Sequence, residues 1–263
     1  MNFEHYLPDS EWRIQHLREF IHNRIVAILL PGPSISELER RIKELEKYDI
    51  LYSTVNYFWM LENRILSQIH KKADIVLCSA KECEVPIDKH IHYLQRKEPN
   101  IFISEMEGYH QENMDFKEFY ELFNERLFYF VADRTQNNIK VPNPEYPLHF
   151  LAQASFTILA SILIIGKPKA IVLFGADGGI QPNKPLYYGD WDAGPEYDTT
   201  REYRLAFDTN TFNKTYPLIL GNIARTYNIP LPPIINCSEK SHYQVFSKWD
   251  YDRTFKWLKN ETT

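Results

Sequence analysis

A chain of 263 residues, 44% of them hydrophobic, can bury a sizeable core and has room for one large α/β domain or two small ones. Its formal net charge of −5, with Lys and Arg spread along the sequence, argues against the broad basic face of a general nucleic-acid binder. Cys78, Cys83 and Cys237 form no zinc-ligand pattern and cannot all pair, which points to reduced thiols in a cytoplasmic protein.

The first ten residues are polar and acidic, unlike a signal peptide. Residues 11–23 read as a helix on the edge of the domain, an N-terminal extension over 1–23. The apolar run 25–30 then has the length and β-branching of a strand buried on both faces. Pro31-Gly32-Pro33 stops it. Ser34, with Glu37 three residues later, forms the pattern of a capping box. Ile35, Leu38, Ile42 and Leu45 behind it mark one face of a helix. A strand, a tight glycine turn and a helix with free N-terminal amides suit an anion such as phosphate.

The same reading gives strands at 50–55, 74–78, 101–103 and 127–131, and helices at 59–69, 87–95 and 116–123. Residues 137–147 form a Pro/Asn-rich connector. The run 148–165 is apolar nearly all round, yet it contains Gln153, Ser155, Thr157 and Ser161. It predicts a buried core helix rather than a transmembrane segment. A further buried strand at 170–174 ends in Gly175-Ala176-Asp177-Gly178-Gly179.

From 180 to 208 the hydrophobic period vanishes, while Tyr187, Tyr188, Asp190, Trp191, Asp192, Tyr197 and Asp198 accumulate. That composition predicts a lid-like insertion. A helix over 211–227 with a kink at Pro217, a short strand at 234–235 and a helix over 249–258 complete the chain. Alternating strands and helices predict an α/β fold with a doubly wound, mostly parallel, Rossmann-like sheet over 24–263.

Ligands of such sheets sit outside the carboxyl ends of the strands. Gly32, Pro33, Ser34, Asn56, Ser79, Asp177, Gly178, Gly179, Ser238 and Ser241 fall there. Asn56 could bond a base or ribose, and equally could be a strand-end turn residue. Asp177 could orient a sugar hydroxyl, hold Mg²⁺ or act as a base, and equally could cap a helix. The nine histidines show no metal-binding spacing.

In these motifs the chain resembles the DUF115 (MptE-like) superfamily, which includes the motility-associated-factor glycosyltransferases. More distantly it is similar to the bacterial CMP-sialic-acid-dependent sialyltransferases. The residues that carry the resemblance are the Gly32-Pro33-Ser34 turn, Asn56 at the end of the second strand, and Ser155 heading an apolar helix. The strand ending Gly175-Ala176-Asp177 and the final Asn236-Cys237-Ser238 complete the set. The departures are Cys78-Ser79, where those sialyltransferases carry an asparagine, and the absence of any histidine between His149 and His242, where they place a base.

The resemblance implies a glycosyltransferase with a nucleotide-activated, CMP-linked donor and a glycan or protein acceptor. Gly32, Pro33, Ser34, Asn56, Ser155, Gly175, Tyr187, Tyr188, Tyr197 and Ser238 would contact the nucleotide and its phosphate. Asp177, Asp190, Asp192 and Asp198 would supply catalytic groups, with no resident metal. The archaeal branch implies an alternative, a Mg²⁺-dependent diphosphokinase acting on 6-hydroxymethyl-dihydropterin. A nucleotide-binding module without catalysis is the third reading, and a homo-oligomer stays open.

Overall fold

The computed structural model describes residues 10–55, 58–78, 99–105, 126–133, 149–151, 155–178 and 199–262. Among these residues nine strands form one parallel sheet. In chain order they are β1 (Ile25–Leu29), β2 (Ile50–Val55), β3 (Ile75–Cys78), β4 (Ile101–Glu105), β5 (Leu127–Asp133), β6 (His149–Leu151), β7 (Ala170–Phe174), β8 (Ile234–Asn236) and β9 (Ser247–Lys248). The helices are α1 (Glu11–Ile21), α2 (Ile35–Arg41), α3 (Phe58–Arg64), α4 (Ser155–Ile165), α5 (Thr199–Thr226) and α6 (Tyr251–Glu261). Strands β1, β2 and β7 are buried along their whole length, as the unbroken apolar runs of β1 and β7 require of a sheet covered on both sides; in β2 the burial includes Ser53 and Thr54.

The spatial order is β6-β5-β4-β3-β2-β1-β7-β8-β9. The chain therefore steps outward from β1 to β6, then returns to the other side of β1 with β7. Crossovers between parallel strands are right-handed, so reversing the direction of travel moves the connecting helices to the opposite face. Two apolar cores result. Ile25, Ala27 and Leu29 pack with α2, α3 and α6 on one face. Val26 and Ile28 pack with α1, α4 and α5 on the other.

Helix α4 lies wholly inside the second core, with every residue from Phe156 to Ile165 buried. Its polar groups are satisfied locally: Ser161 Oγ donates to the Thr157 carbonyl at 2.7 Å, and the Tyr216 hydroxyl reaches the same carbonyl at 3.3 Å. Among the described residues no helix is long and apolar enough to cross a membrane.

Three expectations need correction. The predicted helix over 148–165 begins only at Ser155, and His149–Leu151 instead extend the sheet as β6. The aperiodic stretch predicted to reach residue 208 ends earlier, because Thr199 already starts α5, which runs through Pro217 to Thr226. The helix after β1 is also shorter than its apolar spacing suggests. Seven residues of α2 are followed by a tighter 3₁₀ turn over Ile42–Leu45, which keeps Ile42 and Leu45 buried. The helices expected at 87–95 and 116–123 and the connector at 137–147 lie outside the described residues.

Candidate functional site

The strand order reverses between β1 and β7, and in parallel sheets ligands bind outside the carboxyl ends of the strands at such a reversal. The turn after β1 and the turn after β7 meet there. Leu30 N–H donates to the Phe174 carbonyl at 2.9 Å, and Gly32 N–H to the Gly175 carbonyl at 3.2 Å. Two glycines permit this approach. A Cβ on Gly32 would lie 2.2 Å from the Gly175 oxygen and 2.3 Å from Asp177 Oδ2. Gly175 has φ +78°, and a Cβ on it would lie 2.1 Å from the Leu30 oxygen.

Asp177 is 6% exposed and joins three strand ends. Its Oδ2 accepts the Ser34 amide at 2.9 Å, and its Oδ1 accepts the Ser238 hydroxyl just past β8. Its main-chain carbonyl accepts His242 N–H at 2.8 Å. The preceding carbonyl, Ala176, takes Asn236 Nδ2 at 3.0 Å and Ser241 Oγ at 2.6 Å. The loop after β8 thus clamps the turn after β7, which in turn clamps the turn after β1.

The capping box predicted from Ser34 and Glu37 does not form. Ser34 makes no side-chain cap, and its φ/ψ of −66°/−15° is already helical. The charge at the start of α2 comes from Asp177, which occupies the amide that a phosphate was expected to take. Glu37 pairs instead with Arg40 and, at 3.8 Å, with Arg41.

A cleft of about 410 Å³ opens beside this junction. It is lined by Pro33, Ser34, Ser36, Glu37 and Arg41 from the turn after β1 and α2, by Asp177 after β7, by Cys237, Ser238, Glu239 and Lys240 after β8, and by Asp250, Tyr251 and Asp252 at the start of α6. Its carboxylates are largely committed. Asp250 caps α6 by accepting Arg253 N–H at 2.6 Å, and Asp252 pairs with Arg41 at 2.7 Å. The Arg41 guanidinium, bonded to Glu44 and Asp252, is held even more firmly protonated than usual. Burial pushes the Cys237 thiol up to about 12, so it is neutral and unreactive at physiological pH. Replacing Asp250 by Ala should cost about 1 kcal/mol of stability, read as a lower urea midpoint, because the α6 cap is lost.

Of the residues expected from sequence, Pro33, Ser34, Asp177 and Ser238 line this cleft, with Gly32 and Gly175 directly behind it. Ser155 is not among the lining residues; it opens α4 on the opposite face. Asn56, Tyr187, Tyr188, Asp190, Asp192, Tyr197 and Asp198 lie outside the described residues. Sequence reading missed Tyr251, whose hydroxyl donates to the Ser34 carbonyl at 3.0 Å, and Arg41. A cap at Asp250 was the available signal for α6, since it places Tyr251 at the first helical position rather than inside the helix.

No family model matches the chain, the DUF115 superfamily included, and no curated protein matches it. Among solved structures the chain is similar to the sialyltransferase CST-II in complex with CMP, at 18% identity and a TM-score of 0.45, over 86% of each chain. It is also similar to the YdjI aldolase from Escherichia coli K12, at 9% identity and a TM-score of 0.23, over 95% of this chain and 89% of that one.

Proposed function

We propose that the chain is a glycosyltransferase whose nucleotide-activated sugar, CMP-linked, lies in the cleft at the β1/β7 reversal. The observation that carries this reading is the convergence of three strand-end segments on one cleft at the topological switch point. Residues 32–34, 175–177 and 236–238, far apart in sequence, are brought there through the Asp177 carboxylate. Ser34 and Ser238 line the nucleotide side and Asp177 holds the two together. Asn56, which follows β2 next to β1, is assigned to the base or ribose.

The transfer needs the leaving phosphate stabilised as the glycosidic bond breaks, and a base for the acceptor hydroxyl. Tyr187, Tyr188 and Tyr197 are assigned to the phosphate, and Asp190, Asp192 and Asp198 to acid/base work. The acceptor is a glycan or protein hydroxyl. In the diphosphokinase alternative Mg²⁺ would need converging carboxylates. Among the described residues no three His, Cys, Asp or Glu side chains form such a set.

Calorimetry with CMP, CDP, UDP and GDP tests the proposal. Binding of CMP in preference to the other three is expected. Failure of all four to bind would remove the reading, and tight Mg²⁺-dependent ATP binding with AMP release would replace it by the diphosphokinase.

A further inference from the structure

The described residues that line the cleft carry five carboxylates, Glu37, Asp177, Glu239, Asp250 and Asp252, against two cations, Arg41 and Lys240. Like charges brought together repel, so an anion is held in such a cleft only where a cation meets it. The two cations differ in kind. Lys240 is an exposed point charge on a flexible chain. Arg41 is built into the fold. Its guanidinium carbon lies 4.6 Å from the centroid of the Phe255 ring, and its Nε donates to Glu44 Oε1 at 2.8 Å. The side chain keeps 23% of its surface exposed, so the group is both fixed and reachable.

One bond of Arg41 is of another sort. Its Nη1 donates to Asp252 Oδ1 at 2.7 Å, and the Asp252 side chain is 87% exposed. An ion pair with so solvated a partner adds little to stability and is readily exchanged. Glu37, whose Oε1 lies 3.8 Å from the same Nη1, is engaged by Arg40. A phosphate offers several acceptor oxygens that match the guanidinium fork, which makes it the stronger partner. Asp252 and a phosphate are therefore alternative acceptors for one N–H group.

We propose that Arg41 is the phosphate-binding residue of this cleft and that Asp252 is its resident counter-ion, displaced from Nη1 by the phosphate of the nucleotide. This inference rests on the nucleotide-sugar reading above. It gives the leaving phosphate a fixed cation beside the tyrosine hydroxyls assigned to it. Phe255 and Glu44 keep the guanidinium in place while Asp252 turns out to solvent. An uncharged ligand gains nothing from the exchange, so the pair selects for anions.

The test is calorimetry on the full chain with whichever of CMP, CDP, UDP and GDP binds the wild type most tightly. Asp252→Asn should tighten binding about threefold, because the competing carboxylate is gone. Arg41→Gln should weaken it about tenfold, the loss of one hydrogen bond between charged groups. In the Arg41→Gln background the further change Asp252→Asn should leave affinity nearly unaltered, because Asp252 acts only through Arg41. Asp252 is exposed, so its variant folds, and a gain in affinity is a result that a mere brace between α2 and α6 would not give. Unchanged or weaker binding by Asp252→Asn, wild-type affinity in Arg41→Gln, or the same gain from Asp252→Asn in both backgrounds would overturn the inference and leave the nucleotide reading standing. Failure of the wild type to bind any of the four nucleotides would overturn both.

Discussion

Gly32→Val should leave little folded protein. The new Cβ would sit 2.2 Å from the Gly175 carbonyl oxygen and 2.3 Å from Asp177 Oδ2, and neither group is the free end of a flexible chain. The Gly175 oxygen is main chain, hydrogen-bonded to Gly32 itself, and Asp177 is held from both of its oxygens. Relief requires β1 and β7 to separate at their carboxyl ends, in the middle of the sheet. Overpacking of a tight interior costs about 1–3 kcal/mol and more where backbone must move, so a loss of about 4 kcal/mol is expected here, at the upper end for a single substitution. Urea denaturation of the soluble fraction measures it. A stability within about 1 kcal/mol of wild type would mean that the two turns do not pack in this way.

Asp177 gives the second large effect, and two substitutions separate its roles. Asp177→Ala leaves the buried Ser34 amide and the Ser238 hydroxyl without their acceptor, at about 1–3 kcal/mol for each unsatisfied donor. A total of about 3 kcal/mol is expected, together with lost nucleotide binding. Asp177→Asn behaves differently. Its amide oxygen can keep the Ser34 bond, which has a fixed donor, while its NH₂ faces Ser238, whose hydroxyl can rotate from donating to accepting. The Asn variant should therefore stay within about 1 kcal/mol of wild type and retain the nucleotide. If the carboxylate charge takes part in sugar transfer, its turnover should fall by about a hundredfold or more. Unchanged turnover would leave Asp177 as the clasp of the three strand ends and nothing more.

How much of this could be read beforehand follows from the range of the interactions. Strands β1 and β7 were legible because each is an unbroken apolar run closed by Pro or Gly, and β2 because its Ile50-Leu-Tyr-Ser-Thr-Val55 is rich in β-branched and aromatic residues and is followed by Asn56, all local signals. The burial of α4 was legible for the same reason. The strand β6 was not, because His149–Leu151 continues the apolar run of α4 and composition alone cannot divide a strand from a buried helix. The start of α5 at Thr199 was hidden by the absence of an apolar period over its first turns.

At the site, Ser34, Asp177 and Ser238, the strand-end residues singled out from sequence, line one cleft, because the strand-end rule depends only on chain direction through a parallel sheet. What holds them was not legible. The Ser34-to-Glu37 spacing advertised a local cap, whereas the bond that forms reaches 143 residues along the chain to Asp177. The bond from Tyr251 reaches 217. Such partners are chosen by tertiary packing, and no window of sequence contains both ends.

The central claim is that the ligand lies at the β1/β7 reversal. Amide chemical-shift mapping of the isotope-labelled full chain, titrated with CMP, tests it most directly. Saturable shifts concentrated at Gly32–Ser36, Ala176–Asp177, Ser238 and Tyr251–Asp252 are expected. Saturable shifts centred elsewhere, with these amides unmoved, would contradict it.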